Sequence, residues 1–178
     1  MPLVIGGREQ MTNDVREQRE PQLRERICAT WHAAGPTHAA QAIDAALAAR
    51  HEWSSWPLAE RSAVLLRAAD LLAGPWRQRV NAATMVGQGK TVREAEIDAA
   101  AELADFWRFN VYFADQLAEH QPISPPGFRN RLEQRGLEGF VYAVTPFNFT
   151  AIGGNLPSAP TSRRLSSSCA ASSPRSRS

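Results

Sequence analysis

The stretch that most narrows the fold is residues 140–155, FVYAVTPFNFTAIGGN. Phe140 to Val144 are apolar at every position, without the alternation of a strand that has one wet face. A strand built from them has to be covered on both faces, as in a parallel sheet. Thr145 and Pro146 end it, because proline has no N–H to give to a ladder. A helix can start near Thr150. The chain reads as α/β: a helical layer followed by the first strand-turn-helix of a sheet.

The helical layer lies upstream. After Gly35-Pro36, Thr37 is a candidate N-cap, and Ala39, Ile43, Ala46, Leu47 and Trp53 fall near one stripe. Pro57 suits the first turn of a second helix, with Leu58, Leu65, Ala69 and Leu72 inward and Gly74 as its stop. Pro75 opens a third, with Trp76, Val80, Ala83 and Val86 inward, and Gly87 and Gly89 break it. The longest helix is predicted from Thr91 to about Glu119, on Val92, Leu103, Trp107, Val111 and Leu117. QPISPPGFRN then forms a proline-rich connection, RLEQR alternates like an exposed strand, and Gly136 to Gly139 turn the chain. At the other end, PLVIGG reads as a short strand entering a glycine turn. Residues 8–26 are dense in charge with little periodicity and are read as a surface segment.

Composition excludes several classes. The 43% hydrophobic and 21% charged content fits a globular domain. The net charge is +2, but the last 18 residues carry four arginines and no acid, so the preceding 160 residues stand at −2. That balance gives no argument for nucleic acid as a partner. Cys28 and Cys169 are too few and too separate for a disulfide framework or a four-ligand zinc site, so no metal is expected and a reducing compartment is the default. No apolar run approaches the roughly 20 residues of a membrane span. The N-terminus lacks a basic then apolar leader, and Glu9, Asp14, Glu17, Glu20 and Glu25 argue against a transit peptide.

Two motifs bear on chemistry. VGQGKT, residues 86–91, looks like the end of a phosphate loop, yet the first glycine of that pattern would fall on Thr84 and the motif follows a helix instead of a strand. It is read as an interhelical turn. No G-x-G-x-x-G is present. Asn148 stands where a strand ends in an α/β sheet, a place where ligands collect. Its neutral amide offers two donors, suited to a carbonyl oxygen gaining negative charge. The residues alone also permit a turn asparagine bonded to its own backbone.

PFNFT, with the strand GFVYAVT before it, resembles the Pro-(Trp/Phe)-Asn-Phe element of aldehyde dehydrogenases. MVGQGKTVREAEIDAAAELADFWRFN, QPIS, RGLEGFVYAVTPFNFTAIGGNL and AIDAALAARHEW are similar to one branch, the L-glutamate γ-semialdehyde (pyrroline-5-carboxylate) dehydrogenases. The likeness runs from about Trp31 to Pro160, PLVIGG fits the family's opening strand, and residues 8–30 match poorly. The resemblance implies NAD-dependent oxidation of glutamate semialdehyde to glutamate in proline degradation. A cysteine thiolate attacks the aldehyde and hydride passes to the nicotinamide. It implies Asn148 as oxyanion donor, Thr145 as a cofactor contact near the nicotinamide, and Phe149 as a wall along the substrate's aliphatic chain. It places Glu102 near the aldehyde pocket, although a solvated helix face explains that residue as well. It further implies a homo-oligomer in the cytoplasm, or in the mitochondrial matrix of a eukaryote.

The departures are expectations too. In this family the nucleophilic cysteine, the activating glutamate and the cofactor's glycine motif all follow much later than Asn148. Neither Cys28 nor Cys169 aligns with the nucleophile. Residues 1–160 therefore read as the N-terminal portion of an aldehyde dehydrogenase domain, inactive alone. From Thr161 the composition changes abruptly, with 8 of 18 residues serine. Residues 161–178 are expected to be a disordered Ser/Arg-rich tail, and a break inside a helical element points to a shifted reading frame. The alternative is a small helical interaction module with a basic tail.

Overall fold

The structure, a computed structural model, describes residues 1–134, 136–158 and 169–171. The chain opens with two antiparallel hairpins. Strand β1 (Leu3–Ile5) pairs with β2 (Arg8–Gln10), Ile5 facing Arg8. Gly6 and Gly7 between them both have positive φ, 56° and 75°, as a two-residue turn matched to strand twist requires. Strand β3 (Val15–Arg19) pairs with β4 (Ile27–His32), with an irregularity between Gln18 and Arg19. Every residue of β3 is exposed. The segment read as surface is thus a strand at the surface: with no face to bury, its sequence needs no apolar alternation. Its order comes from the backbone ladder and from Arg16, whose guanidinium lies 5.5 Å from the Trp31 ring. The two hairpins are tied together, since the Met1 ammonium donates to Thr30 O and the Thr12 hydroxyl to Ala33 O.

Three of the helices lie close to their predicted places: α1 (Pro36–Ser55), α2 (Leu58–Ala73) and α3 (Arg77–Gln88). Helix α1 begins one residue before the predicted cap, because Pro36 fits the first helical position and the Gly35 N–H donates to His38 Nδ1. Helix α2 stops at Gly74 as the sequence indicates. Helix α3 presents a different face from the expected one. Trp76 and Val86 are exposed, and Asn81 and Thr84 are buried instead. The Asn81 amide nitrogen donates to Glu96 and the Thr84 hydroxyl to Val80 O, which offsets part of the cost of burying them, while the Asn81 side-chain oxygen has no partner among the described residues.

The long predicted helix is continuous but not uniform. It comprises α4 (Val92–Ala95), a π-helical segment (Glu96–Ala101) and α5 (Glu102–Glu119). Thr91 caps it reciprocally with Glu94, each side chain bonding the other residue's N–H. The π segment is held from outside by both of its acids: Glu96 takes Arg77 and Asn81 from α3, and Asp98 takes Lys90. The core lies between α2 and α5, where Ala69, Leu72, Leu103 and Ala104 are buried and Ala73, Val80, Trp107 and Ala151 pack against them. Its alanines let the helix axes approach closely.

After α5, residues 131–134 form no strand. The Leu132 N–H instead donates to Gln121 Oε1, and Ser124 and Asn130 bond within the same loop. Local side-chain partners thus replace the ladder that residues 131–134 lack. Strand β5 (Tyr142–Val144) is shorter than predicted and buries only Ala143, with Tyr142 and Val144 exposed. A short 3₁₀ turn (Ile152–Gly154) and α6 (Asn155–Ser158) follow. Strand β6 (Cys169–Ala171) runs parallel to β5, Ala143 facing Ala170. The remainder of the expected tail, 161–168 and 172–178, lies outside the described residues. Among the described residues no helix is long and apolar enough to cross a membrane.

The tie between α3 and the π segment has a consequence for pH. The Arg77 hydrogen bond holds the Glu96 carboxyl below its usual range, against desolvation and with help from Asn81. A depressed folded pKa stabilises the fold above the unfolded value, about 4.3 for glutamate, and that contribution is lost as pH falls through the folded value. Glu96→Gln is expected to lower the urea midpoint of the helical circular dichroism signal at pH 7 and to flatten its decline below about pH 4.3. A variant with the parent's acid slope would contradict the assignment.

Candidate active site

The candidate site is built where β5 gives out. Pro146 ends the strand, and residues 147–150 turn the chain towards the 3₁₀ segment. Phe147 is 80% exposed, Asn148 is exposed, and Phe149 is half-buried. The Asn148 side-chain amide makes no hydrogen bond with a described residue, so the bond to its own backbone that a turn asparagine commonly forms does not occur here. Its main-chain carbonyl is occupied instead. It accepts from Lys90 Nζ at 2.6 Å and, with the Gln88 amide oriented to satisfy its neighbours, from Gln88 at 2.9 Å. The Gln88 oxygen in turn accepts from the Thr150 N–H at 3.1 Å and from its hydroxyl at 3.3 Å. The Lys90 ammonium also pairs with Asp98 and lies 4.4 Å from the centre of the Phe149 ring.

Thr145 is half-buried beside Gly153. A Cβ on Gly153 would come within 2.7 Å of Thr145 Cγ2, so glycine is required for this approach. The neighbouring Gly154 faces Leu103 and Trp107 of α5, which joins the turn to the core. The structure thus brings three of the four residues singled out in the sequence, Thr145, Asn148 and Phe149, into one turn. Glu102 is elsewhere in its bonding: it is exposed at the first turn of α5, and its side chain forms no hydrogen bond or ion pair with a described residue.

Gln88, Lys90 and Asp98 were not singled out as site residues. The one signal for Gln88 and Lys90 was VGQGKT, which fails as a phosphate loop and holds a neighbouring turn instead, and Asp98 had none. Among the described residues no cluster of His, Cys, Asp and Glu could hold a metal ion. The groups that could meet an organic ligand are the Thr145 hydroxyl and the Asn148 amide, both without a hydrogen bond to a described residue. A hydroxyl and a neutral amide at a strand end are donor types suited to an organic ligand with acceptor oxygens.

The close approach at Gly153 can be tested directly. Gly153→Ala is expected to destabilise the chain by about 1–3 kcal/mol through overpacking against Thr145. Urea denaturation measures the loss, and faster amide exchange at residues 143–145 would locate it. An unchanged midpoint would contradict the packing described.

A sequence profile of the aldehyde dehydrogenase family matches residues 9–160. The matched range includes β3, β4 and the last two residues of β2. The mitochondrial delta-1-pyrroline-5-carboxylate dehydrogenase of Bos taurus is 56% identical over 160 residues, 90% of this chain and 28% of the relative. The Mus musculus enzyme of the same name is 55% identical over the same shares. Among solved structures, the delta-pyrroline-5-carboxylate dehydrogenase of Mycobacterium tuberculosis bound with NAD is 53% identical with a TM-score of 0.88, covering 92% of this chain and 31% of that one. The chain spans less than a third of the length of these relatives. With the profile running from the first hairpin through the strand-end turn, the chain belongs to the aldehyde dehydrogenase family.

Proposed function

We propose that this chain carries the N-terminal portion of an NAD-dependent enzyme that oxidises L-glutamate γ-semialdehyde to glutamate, and that Asn148 is its oxyanion donor. The observation that carries the reading is the division of labour at Asn148: a main-chain carbonyl fixed by two donors, and a side-chain amide with no hydrogen bond to a described residue. When a nucleophile adds to an aldehyde, the carbonyl oxygen takes on negative charge, and a fixed neutral N–H that needs no reorganisation lowers that barrier. Thr145, one turn back at the strand end, offers its hydroxyl to the cofactor. Phe149 supplies an apolar surface for the substrate's methylene chain. NAD, when bound there, would supply the hydride acceptor. The likeness to dehydrogenases of that name in Bos taurus, Mus musculus and Mycobacterium tuberculosis supports the substrate class.

The family's nucleophilic thiol is assigned to sequence beyond the matched third. Cys28, in β4, donates its S–H to Gln18 O across the hairpin. The 178-residue chain is therefore expected to form no NADH from glutamate semialdehyde, and family-like rates from it would overturn the assignment. The Ser/Arg-rich composition begins where the profile match stops, which supports a changed reading frame after Pro160. Family-like sequence in another frame of the encoding DNA is the expected finding.

The role of Asn148 is tested in a chimera joining residues 1–158 to the remaining two-thirds of the Mycobacterium tuberculosis enzyme. Asn148→Ala is expected to lower kcat by about a hundredfold or more, with the KM for NAD nearly unchanged. An unaltered kcat, with chemistry shown to be rate-limiting, would sink the oxyanion assignment.

A further inference from the structure

We propose that Gln88 and Lys90 are positioning residues that latch the main chain at Asn148, so that the oxyanion donor is aimed from the end of helix α3. The inference rests on the proposed role of Asn148 for its catalytic meaning, and on the hydrogen bonds alone for the latch itself. It begins with Gly89. This residue ends α3 in the left-handed region, φ 68°, and its N–H bonds back to Met85 O. A side-chain-bearing residue is strained there. The reversal sends the side chains on either side of it, Gln88 and Lys90, to the same main-chain oxygen.

Gln88 acts as a surrogate strand. Its amide donates to the carbonyl of Asn148 and accepts from the N–H of Thr150, bracketing Phe149 as a peptide group of an adjacent strand would bracket the middle residue of three. Residues 148–150 lie beyond the end of β5, and in this arrangement two of their main-chain groups gain ladder-like partners from one side chain. Lys90 fills the second lone pair of the same carbonyl. Its ammonium is not an ordinary surface charge. The Lys90 and Asp98 side chains are only 18% and 19% exposed, and the Phe149 ring lies against the ammonium. An exposed pair contributes little order, whereas a partly enclosed one with an aromatic face and a carbonyl acceptor has one favoured geometry. Asp98 belongs to the π segment, so the path from the helical layer to the site is continuous: π segment, Asp98, Lys90, Asn148 carbonyl. Displacing a catalytic group by about 1 Å can cost two orders of magnitude in rate, which gives such a latch a reason to exist.

Two measurements test the proposal. In the 178-residue chain, amide exchange followed by NMR should find the Thr150 N–H slowed at least about tenfold relative to a free peptide. Gln88→Ala should abolish that protection, Lys90→Met should reduce it, and Lys90→Arg should retain most of it. The Leu103 amide should be unaffected in all three, and Arg77→Met serves as a control that weakens a different tie. If Lys90→Met unfolds the chain, Gln88→Ala still decides, since Gln88 has no ionic partner. A Thr150 amide that exchanges freely in the parent, or stays protected in Gln88→Ala, overturns the latch.

In the chimera, Lys90→Met should lower kcat about tenfold or more with a KM for NAD changed less than twofold. In an Asn148→Ala background it should cost little further, because its effect runs through Asn148. Full additivity would overturn the link to Asn148. An inert Asn148→Ala with intact protection at Thr150 would remove the oxyanion reading and leave the latch standing.

Discussion

The Asn148 carbonyl, held by two side chains from another element, is the interaction on which the site depends. Main-chain polar groups at the end of a strand need partners, and after Pro146 no ladder continues to supply them. Here the partners come from the turn that closes α3. With that carbonyl engaged, the side-chain amide of Asn148 makes no hydrogen bond to any described residue. The main chain of this residue is thus fixed, and its amide is uncommitted among the described residues.

The helical layer makes that arrangement possible by bringing α3, the π segment and the strand-end turn into contact. Alanines between α2 and α5 allow close approach, and Leu103 with Trp107 receives Gly154. Glu96 fixes the π segment to α3 through Arg77 and Asn81, and two residues later Asp98 takes Lys90. A single irregular turn therefore carries two ties, one to the scaffold and one to the site. π segments recur at functional sites because the wider turn re-aims side chains that a regular helix would place elsewhere.

Much of this was legible in the sequence where a periodicity or a breaker dictates the outcome. Gly74 stops α2, the long helix begins at Thr91, and Pro146 ends β5. Three features were not legible, each for a physical reason. Strand β3 buries nothing, so it leaves no alternation. The buried face of α3 is polar, because Asn81 and Thr84 find partners that hydrophobic patterning does not register. Gln88 and Lys90 were seen only as a failed phosphate loop, since the contacts that give them meaning lie about sixty residues along the chain. Of the site residues, Thr145, Asn148 and Phe149 share the turn, and Glu102 lies exposed at the first turn of α5.

The most direct test of the account is single-turnover hydride transfer in a complete enzyme carrying this N-terminal sequence, with Asn148→Asp as the variant. Aspartate keeps the shape of the side chain but has no N–H to donate at neutral pH. The account predicts that NADH formation in the first turnover slows by about a hundredfold or more while NAD affinity is preserved. A first-turnover rate equal to the parent's would show that the Asn148 amide does not stabilise the oxyanion.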